Sequence, residues 1–492
     1  MTTETSPQSA PRSTTAGKAG IELTGLETIA ESERKGRPSG LFWPWFAANV
    51  SVFGIAFGAY TLGFGISFWQ ALIVGVIGIV VSFLLVGIVS LAGKRGSAPT
   101  MVLSRTMFGV DGARVVSVLS WILTVGWETI LCVSAVYAVD ATGGALFGKS
   151  ATGNPVVELI TLLVVAAIIV TLGVFGFTWI MRAQLIITIV TGVVTVIFLI
   201  TVVPHIDLGA VAKLPAGSIG AVIGALVFMM TGFGLGWVNA GADYSRYLPR
   251  RSSGRAVVAW TTIGASLPVV VLFLFGLLLA GSSKSLSDAI GSYSLGPLVG
   301  LTPVWFIVPF AIVVVLGLIA GAVMDIYSSG LALLAAGLRI PRPAAAAVDG
   351  VVMTLLSVYV IFFGGAFLGQ FQGFLITLGV PIAVWCGIFI ADVILRKRDL
   401  ADAELYKRTG RYGSVRWLSI ALLIVGTVVG WGLVTNTYAP WLAWQGYLFG
   451  PEHGAFREGW SGSNLGVLVA LVIGFAGYLI GGRGSVARQE NH

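Results

Sequence analysis

Gly232-Phe233-Gly234-Leu235-Gly236-Trp237-Val238-Asn239-Ala240-Gly241-Ala242-Asp243-Tyr244-Ser245-Arg246-Tyr247-Leu248-Pro249 closes a membrane-length apolar segment that glycines interrupt repeatedly before it turns polar. In hydrocarbon every backbone N–H and C=O must be satisfied internally, so a helix broken at that depth is tolerated only where its freed groups meet protein, water or a ligand. Two meanings are open for such a stretch. It is either a glycine-rich face for close helix packing or a discontinuous helix that builds a ligand site.

Composition sets the environment. Of 492 residues 56% are hydrophobic and 10% charged, with a mean hydropathy of +0.94, which excludes an ordinary soluble protein. Twelve apolar windows are each long enough to cross a core of about 30 Å as a helix: 43–66, 69–93, 115–143, 155–175, 179–203, 218–248, 257–281, 303–336, 346–367, 370–395, 416–436 and 463–482. The expected fold class is all-α integral membrane with twelve transmembrane helices. Three windows, 218–248 among them, exceed a straight span and call for tilt, interruption or extension.

Residues 1–40 are rich in Ser, Thr, Pro and charge, with no apolar run that fits a cleavable signal. They read as a disordered cytoplasmic tail. Cys132 and Cys386 both fall inside apolar windows, the setting of small buried hydrophobes and not of disulfides or metal ligands.

Charge tests the topology independently. If the twelve spans begin and end in the cytosol, 25 of the 29 Lys and Arg fall on inside segments, leaving only Lys149, Lys213, Lys284 and Arg457 outside. That is the positive-inside bias, so both termini are expected in the cytoplasm. It also accounts for the net charge of +8 without a nucleic-acid partner, which would need basic residues gathered on a soluble domain. The partners implied are the lipid bilayer and a small molecule; no feature sets an oligomeric state.

Glycines and polar groups recur in mid-span in Asn49-Val50-Ser51-Val52-Phe53-Gly54-Ile55-Ala56-Phe57-Gly58-Ala59-Tyr60-Thr61-Leu62-Gly63-Phe64-Gly65. Two interrupted segments five spans apart are the sign of an inverted repeat with its binding site at the repeat interface.

Further pieces carry a family likeness from Ile21 to about Arg398. They are Ile21-Glu22-Leu23-Thr24-Gly25-Leu26-Glu27, Trp45-Phe46-Ala47-Ala48-Asn49, Ser67-Phe68-Trp69-Gln70-Ala71, Gly96-Ser97-Ala98-Pro99-Thr100-Met101-Val102-Leu103-Ser104-Arg105 with Phe108-Gly109, Val125-Gly126-Trp127, and Ala242-Asp243-Tyr244-Ser245-Arg246-Tyr247. In order and spacing they resemble the nucleobase–cation symporter-1 family, in its purine/cytosine permease branch. The resemblance implies a LeuT-like core of five plus five helices with discontinuous first and sixth helices, spanning 41–398 as repeats of about 41–203 and 218–398. Residues 399–482 would then hold a loop and two additional helices, and 483–492 a cytoplasmic tail.

It also implies import of a nucleobase-like heterocycle with a proton or sodium ion, by alternating access and without a cofactor. In that family the ring lies between an aromatic residue of the third helix, matched here by Trp127, and one of the sixth, matched by Phe233, with Trp237 as a substitute. Polar groups and backbone of the first, third and eighth helices read the ring's edge, which nominates Phe53, Gly54, Ala56, Leu131, Gly234, Gly321 and Asp325 as neighbours of the ligand. Stacking supplies sequence-tolerant affinity and hydrogen bonds supply discrimination; an aromatic packed between helices is the plainer role for either ring.

Three positions depart from the family pattern. Leu131 stands where purine/cytosine members carry Asn and cannot hydrogen-bond a base edge. Gly321-Ala322-Val323-Met324-Asp325 offers one polar side chain where members place Asn or Thr pairs, and Ala56 stands where related permeases often have Ser. The heterocycle therefore stays open, with allantoin, hydantoin and thiamine beside the nucleobases.

An ionisable group inside a span is expensive and marks a functional candidate by default. Asp325 leads, as proton carrier or as acceptor of ligand N–H groups; its plainer role is an inert pairing with a buried polar group. Glu128 is the second proton candidate, but it points about 100° from Trp127 on a helix and so faces elsewhere. Asp243 and Arg246, three apart, can pair along one face and read as an inner gate or latch, while Asp349 and Asp392, near inside ends, read as structural. A sodium site would draw on backbone carbonyls of Phe53 to Phe57, but no Ser/Thr pair lies near Gly321, since Ser328 and Ser329 come about two turns later. Protons are thus preferred over sodium.

Rival functions fit less well. A membrane enzyme needs clustered His, Cys or carboxylates, whereas the three histidines, at 205, 453 and 492, lie in expected loops or the tail. A channel or a solute-sensing receptor fits the hydropathy, but a channel would show no gradient-driven accumulation and a receptor would move nothing.

Overall fold

The protein is described here by a computed structural model covering residues 21–148, 152–293, 295–364, 367–436, 440–451 and 453–491. Among the described residues every regular element is a helix. Nine helices among the described residues are long and apolar enough to cross a membrane, and two bent pairs, Pro38–Asn49 with Phe53–Leu62 and Phe456–Ser463 with Gly466–Gly481, add two candidates. The shorter apolar helix Trp417–Gly432 brings the candidates to the twelve expected.

In chain order the first span is the pair Phe42–Asn49 and Phe53–Leu62, the second Phe68–Gly96, the third Ala113–Phe147, the fourth Pro155–Phe175 and the fifth Phe177–Val202. The sixth runs from Ile219–Gly232 through Gly234–Trp237 and a 3-10 turn, Val238–Ala240, to Gly241–Ser245. The seventh to tenth are Gly254–Ser282, Ile307–Ala336, Arg342–Phe363 and Phe367–Leu395; Trp417–Gly432 and Gly466–Gly481 complete the set.

Both anticipated interruptions are present, with different shapes. The first span bends by 65°, because Val50 leaves helical geometry (φ −80°, ψ 49°) after its N–H closes on the Phe46 carbonyl. The chain restarts with help from Ser51, whose Oγ accepts the Phe53 N–H at 3.3 Å. In the sixth span Phe233 alone departs (φ −124°, ψ −104°), and the Gly234 N–H is taken up by Ser82 Oγ of the second span at 3.1 Å. The freed backbone groups are thus met by serine hydroxyls, one route by which a break survives in hydrocarbon.

Packing divides the helices. Spans 1, 2, 6 and 7 lie against one another; spans 3 and 8 pack together with 4, 5 and 9 around them; spans 10, 11 and 12 form a third set. Glycine permits a close crossing between the first and seventh spans. A Cβ on Gly58 would sit 2.2 Å from the Gly276 carbonyl carbon, and one on Gly276 2.1 Å from the Ile55 oxygen. Only residues without a side chain allow backbones to meet at that distance.

Residues 21–40, assigned on composition to a disordered tail, are held in place. Glu22 N–H donates to Phe175 O at 3.0 Å and Ile29 N–H to Ser97 O at 2.9 Å, and the Glu22 and Arg34 side chains are buried. Composition misled because few apolar residues are needed where backbone and charge supply the contacts. Residues 1–20 lie outside the described residues.

Gly276→Val is expected to force the first and seventh spans apart and to cost about 1–3 kcal/mol, the usual penalty of overpacking. Thermal unfolding of the purified variant checks this; an unchanged midpoint would contradict the crossing.

Candidate functional site

Where the two breaks face each other the helices leave a cavity of about 50 Å³, smaller than the roughly 300–1,000 Å³ usual for small-molecule pockets, so its two sides must part to admit a ring. Its wall comes from both packed groups: Ala48, Asn49, Ser51, Phe53, Gly54 and Phe57 of the first span, Gly232, Phe233 and Trp237 of the sixth, Trp127 and Leu131 of the third, Gly317 and Asp325 of the eighth. Seven of the ten residues nominated from sequence therefore meet at one cavity. Three do not. Ala56 is fully buried away from it, and Gly234 is pressed against the second span, where a Cβ would lie 2.1 Å from the Ser82 carbonyl carbon. Gly321 faces Leu131, 2.9 Å from a Cβ built there, and Gly317, one turn earlier, takes its place.

The aromatic faces are arranged by these packings. Trp127 meets the ring of Phe371, from the tenth span, edge-on at 5.4 Å, and its indole Nε1 is buried without a partner beside Gly236. Phe233 leans on Phe57 at 4.3 Å with the planes tilted 42°, and Trp237 stands edge-on to Trp45 at 5.6 Å. Phe371 was not singled out from sequence, and Phe57 only for its backbone carbonyl. Their only signal is the run Gly369-Gln370-Phe371-Gln372-Gly373, polar within an apolar span, and the helical spacing of Phe53 and Phe57.

Asp325 is 1% exposed and neither of its carboxyl oxygens has a protein hydrogen-bond partner. Glu128, as its helical angle requires, points away from the cavity. Its Oε1 accepts from Ser329 Oγ at 2.6 Å, and the same hydroxyl contacts Asp349 Oδ2. Asp349, expected to be structural near a span end, is fully buried and accepts from Trp121 Nε1 at 2.7 Å. Asp392 does pair with Arg396, at 2.6 Å.

The expected Asp243–Arg246 pair is not formed. Asp243 caps the short helix Thr100–Leu103, accepting from the Thr100 N–H at 2.7 Å and its hydroxyl at 2.8 Å, as a carboxylate does at free helix N–H groups. Arg246, fully buried, turns to Tyr327 OH at 2.7 Å, Gly25 O at 3.0 Å and Glu22 at 3.6 Å. Glu22 also accepts from Tyr247 OH at 2.8 Å and the Phe177 N–H at 2.7 Å, and Arg342 donates to Glu22 O and Gly173 O. One acidic residue of the N-terminal segment thus ties the end of the sixth span to the eighth, fifth and ninth.

Carbonyls of Phe53 to Phe57 were the expected cation ligands, but the helix already resumes at Phe53, so the unwound backbone is at 50–52 instead. No group of three or more His, Cys, Asp or Glu suited to a metal ion occurs among the described residues.

Residues 28–450 match the family model described as permease for cytosine/purines, uracil, thiamine, allantoin. The chain belongs to this permease family. The match begins a few residues later and runs further than the likeness traced from motifs, taking in the eleventh span. The permease is 23% identical to YxlA of Bacillus subtilis, a proposed purine-cytosine permease, over 83% of this chain and 87% of that one. It is 24% identical to the purine-cytosine permease FCY21 of Saccharomyces cerevisiae over 52% of this chain and 47% of that one. Among solved structures, Mhp1, a nucleobase-cation-symport-1 family transporter closed with bromovinylhydantoin bound, superposes with a TM-score of 0.67 at 18% identity, covering 96% of this chain and 99% of that chain. A sodium-coupled sialic acid symporter superposes with a TM-score of 0.61 at 12% identity over 92% and 91%. The permease is thus a multi-pass membrane transporter with that helical fold, and not an enzyme.

Arg246→Met leaves Glu22 without its buried cation, which typically costs about 3–5 kcal/mol. We expect a lowered melting temperature and earlier protease cleavage in residues 29–40, both partly restored in the double variant with Glu22→Gln. Equal cleavage of variant and wild type would show that the tie does not hold the segment.

Proposed function

We propose that this permease imports a nucleobase or a related nitrogen heterocycle by cation symport, with protons preferred over sodium. The observation that carries the reading is the cavity where both helix breaks converge, walled by aromatic rings and by one buried carboxylate without a partner. A planar heterocycle offers π faces to Trp127, Phe233 and Trp237 and an edge of N–H donors to Asp325, and Phe53 and Gly54 border it through the first span. The names of the relatives support the substrate class. Leu131 favours a second substrate reading, a heterocycle such as allantoin, hydantoin or thiamine, because it removes a hydrogen-bonding side chain from the third-span wall.

The eighth span carries no Ser or Thr between Val313 and Asp325, which supports protons as the driver, with Asp325 and Glu128 as carriers. The cavity lies between two separately packed groups, so rocking of spans 1, 2, 6 and 7 against 3, 4, 5, 8 and 9 would expose it to each side in turn. Each of the repeats, about 41–203 and 218–398, would contribute helices to both groups, and the positive-inside bias supports cytoplasmic placement of both termini. Asp243 and Arg246 would act at the inner gate through Thr100 and Glu22.

Uptake of labelled adenine, guanine, hypoxanthine, cytosine, uracil, allantoin and thiamine into vesicles, with pH and sodium gradients imposed separately, tests the substrate class and the driver. One member is expected to accumulate under an inward proton gradient; accumulation of none would contradict the class. Trp127→Ala removes a stacking face worth about 1–3 kcal/mol, or roughly 5- to 150-fold in Kd, with folding intact. Unchanged affinity would remove Trp127 from the pocket.

A further inference from the structure

The third, eighth and ninth spans bring two carboxyl groups onto one hydroxyl. Ser329 Oγ lies 2.6 Å from Glu128 Oε1 and in hydrogen-bond contact with Asp349 Oδ2, and all three side chains are fully buried. A serine hydroxyl carries one hydrogen and can donate to one acceptor at a time. The second contact is attractive only if the other carboxyl carries a proton and donates it to the serine oxygen. Two ionised carboxylates on that oxygen would leave an unscreened oxygen–oxygen repulsion in a low-dielectric interior. Both contacts are satisfied together when at least one of the carboxyls carries a proton.

A second observation points the same way. Asp325, one helical turn before Ser329 on the same face of the eighth span, is 1% exposed with both oxygens unpartnered, and Glu128 Oε2 is likewise buried without a partner. Asp325 borders the cavity, so it stands between the ligand and the bridged pair. No Lys, Arg or His is ion-paired with any of the three acids among the described residues. The groups facing the pair are Asp325 of the eighth span, Cys132 of the third and the Trp121 indole N–H of the third. The fourth span carries only Glu158, in its first turn, and the fifth only Arg182, which lies over the Trp179 ring. Buried carboxyls without a cation are neutralised by protons.

We propose that Glu128 and Asp349, bridged by Ser329, form the proton-carrying site of this transporter, and that Asp325 links it to the ligand cavity. This rests on the symport reading and names its coupling residues, including one that sequence position assigned to structure. In each cycle the pair passes from one bound proton to two as a proton enters with the ligand from the outer side, and back to one as that proton leaves to the cytosol with the ligand; no other group is consumed. The pair sits within one packed group, so it keeps its geometry while access changes at Asp325.

Counterflow exchange and gradient-driven accumulation separate this claim from the function itself. The ligand found for the wild type is used in proteoliposomes, with a pH dye inside to record proton entry. Asp349→Asn and Glu128→Gln are expected to keep counterflow exchange, which also shows that they fold, and to lose both accumulation under a proton gradient and ligand-dependent proton entry. Ser329→Ala keeps both acids, and is expected to shift the pH profile of accumulation while exchange persists. Wild-type proton coupling in Asp349→Asn, or an unchanged pH profile in Ser329→Ala, would overturn the proposal. So would wild-type accumulation driven by sodium alone with no proton entry. Absence of exchange for every heterocycle in the wild type would instead overturn the transport reading on which it rests.

Discussion

The structure depends on how a chain in hydrocarbon satisfies backbone groups where its helices break. The first span leaves helical geometry at Val50 and the sixth at Phe233, and both would be untenable if the freed groups faced lipid. Ser51 and Ser82 meet the nearest N–H groups, and the remaining space beside the breaks is the cavity. Everything that could recognise a ligand follows from that arrangement: apolar helix walls supply rings, and the breaks leave a small gap among them.

Glycine sets the distances around the site. The first and seventh spans touch backbone to backbone at Gly58 and Gly276, and the sixth touches the second at Gly234. The glycine-rich stretch 232–249 therefore divides between close packing and a cavity wall. Gly234 belongs to close packing, while Gly232, Phe233 and Trp237 belong to the cavity wall.

Much of this was legible in the sequence, because a helix that must cross a bilayer needs a run of apolar residues that cannot be hidden. Each apolar window holds a helix, and the interruption of the first and sixth spans follows from glycine and polar residues placed where hydrocarbon forbids loose backbone. Individual partners were less legible. Asp349 was placed near the end of a window at 346–367, but the helix begins at Arg342, which moves the acid two turns inward to Ser329. Arg246 was matched to Asp243 by spacing alone, yet the α-helix ends at Ser245 and the free N–H of Thr100 claims the carboxylate. Glu22 lay in a segment whose composition concealed its role. The Asp243–Thr100 and Tyr247–Glu22 contacts join residues 143 and 225 positions apart, and helix periodicity carries no information at that range.

The central claim is that ligand binds where the breaks of the first and sixth spans face each other, beside Trp127 and Asp325. The most direct test is a structure determined by electron cryomicroscopy with a bromine-bearing analogue of the transported heterocycle. Density for the analogue within the cavity, with its ring against Trp127 and its edge toward Asp325, is the result expected. Well-resolved analogue bound elsewhere, with this cavity collapsed or unchanged, would contradict the account.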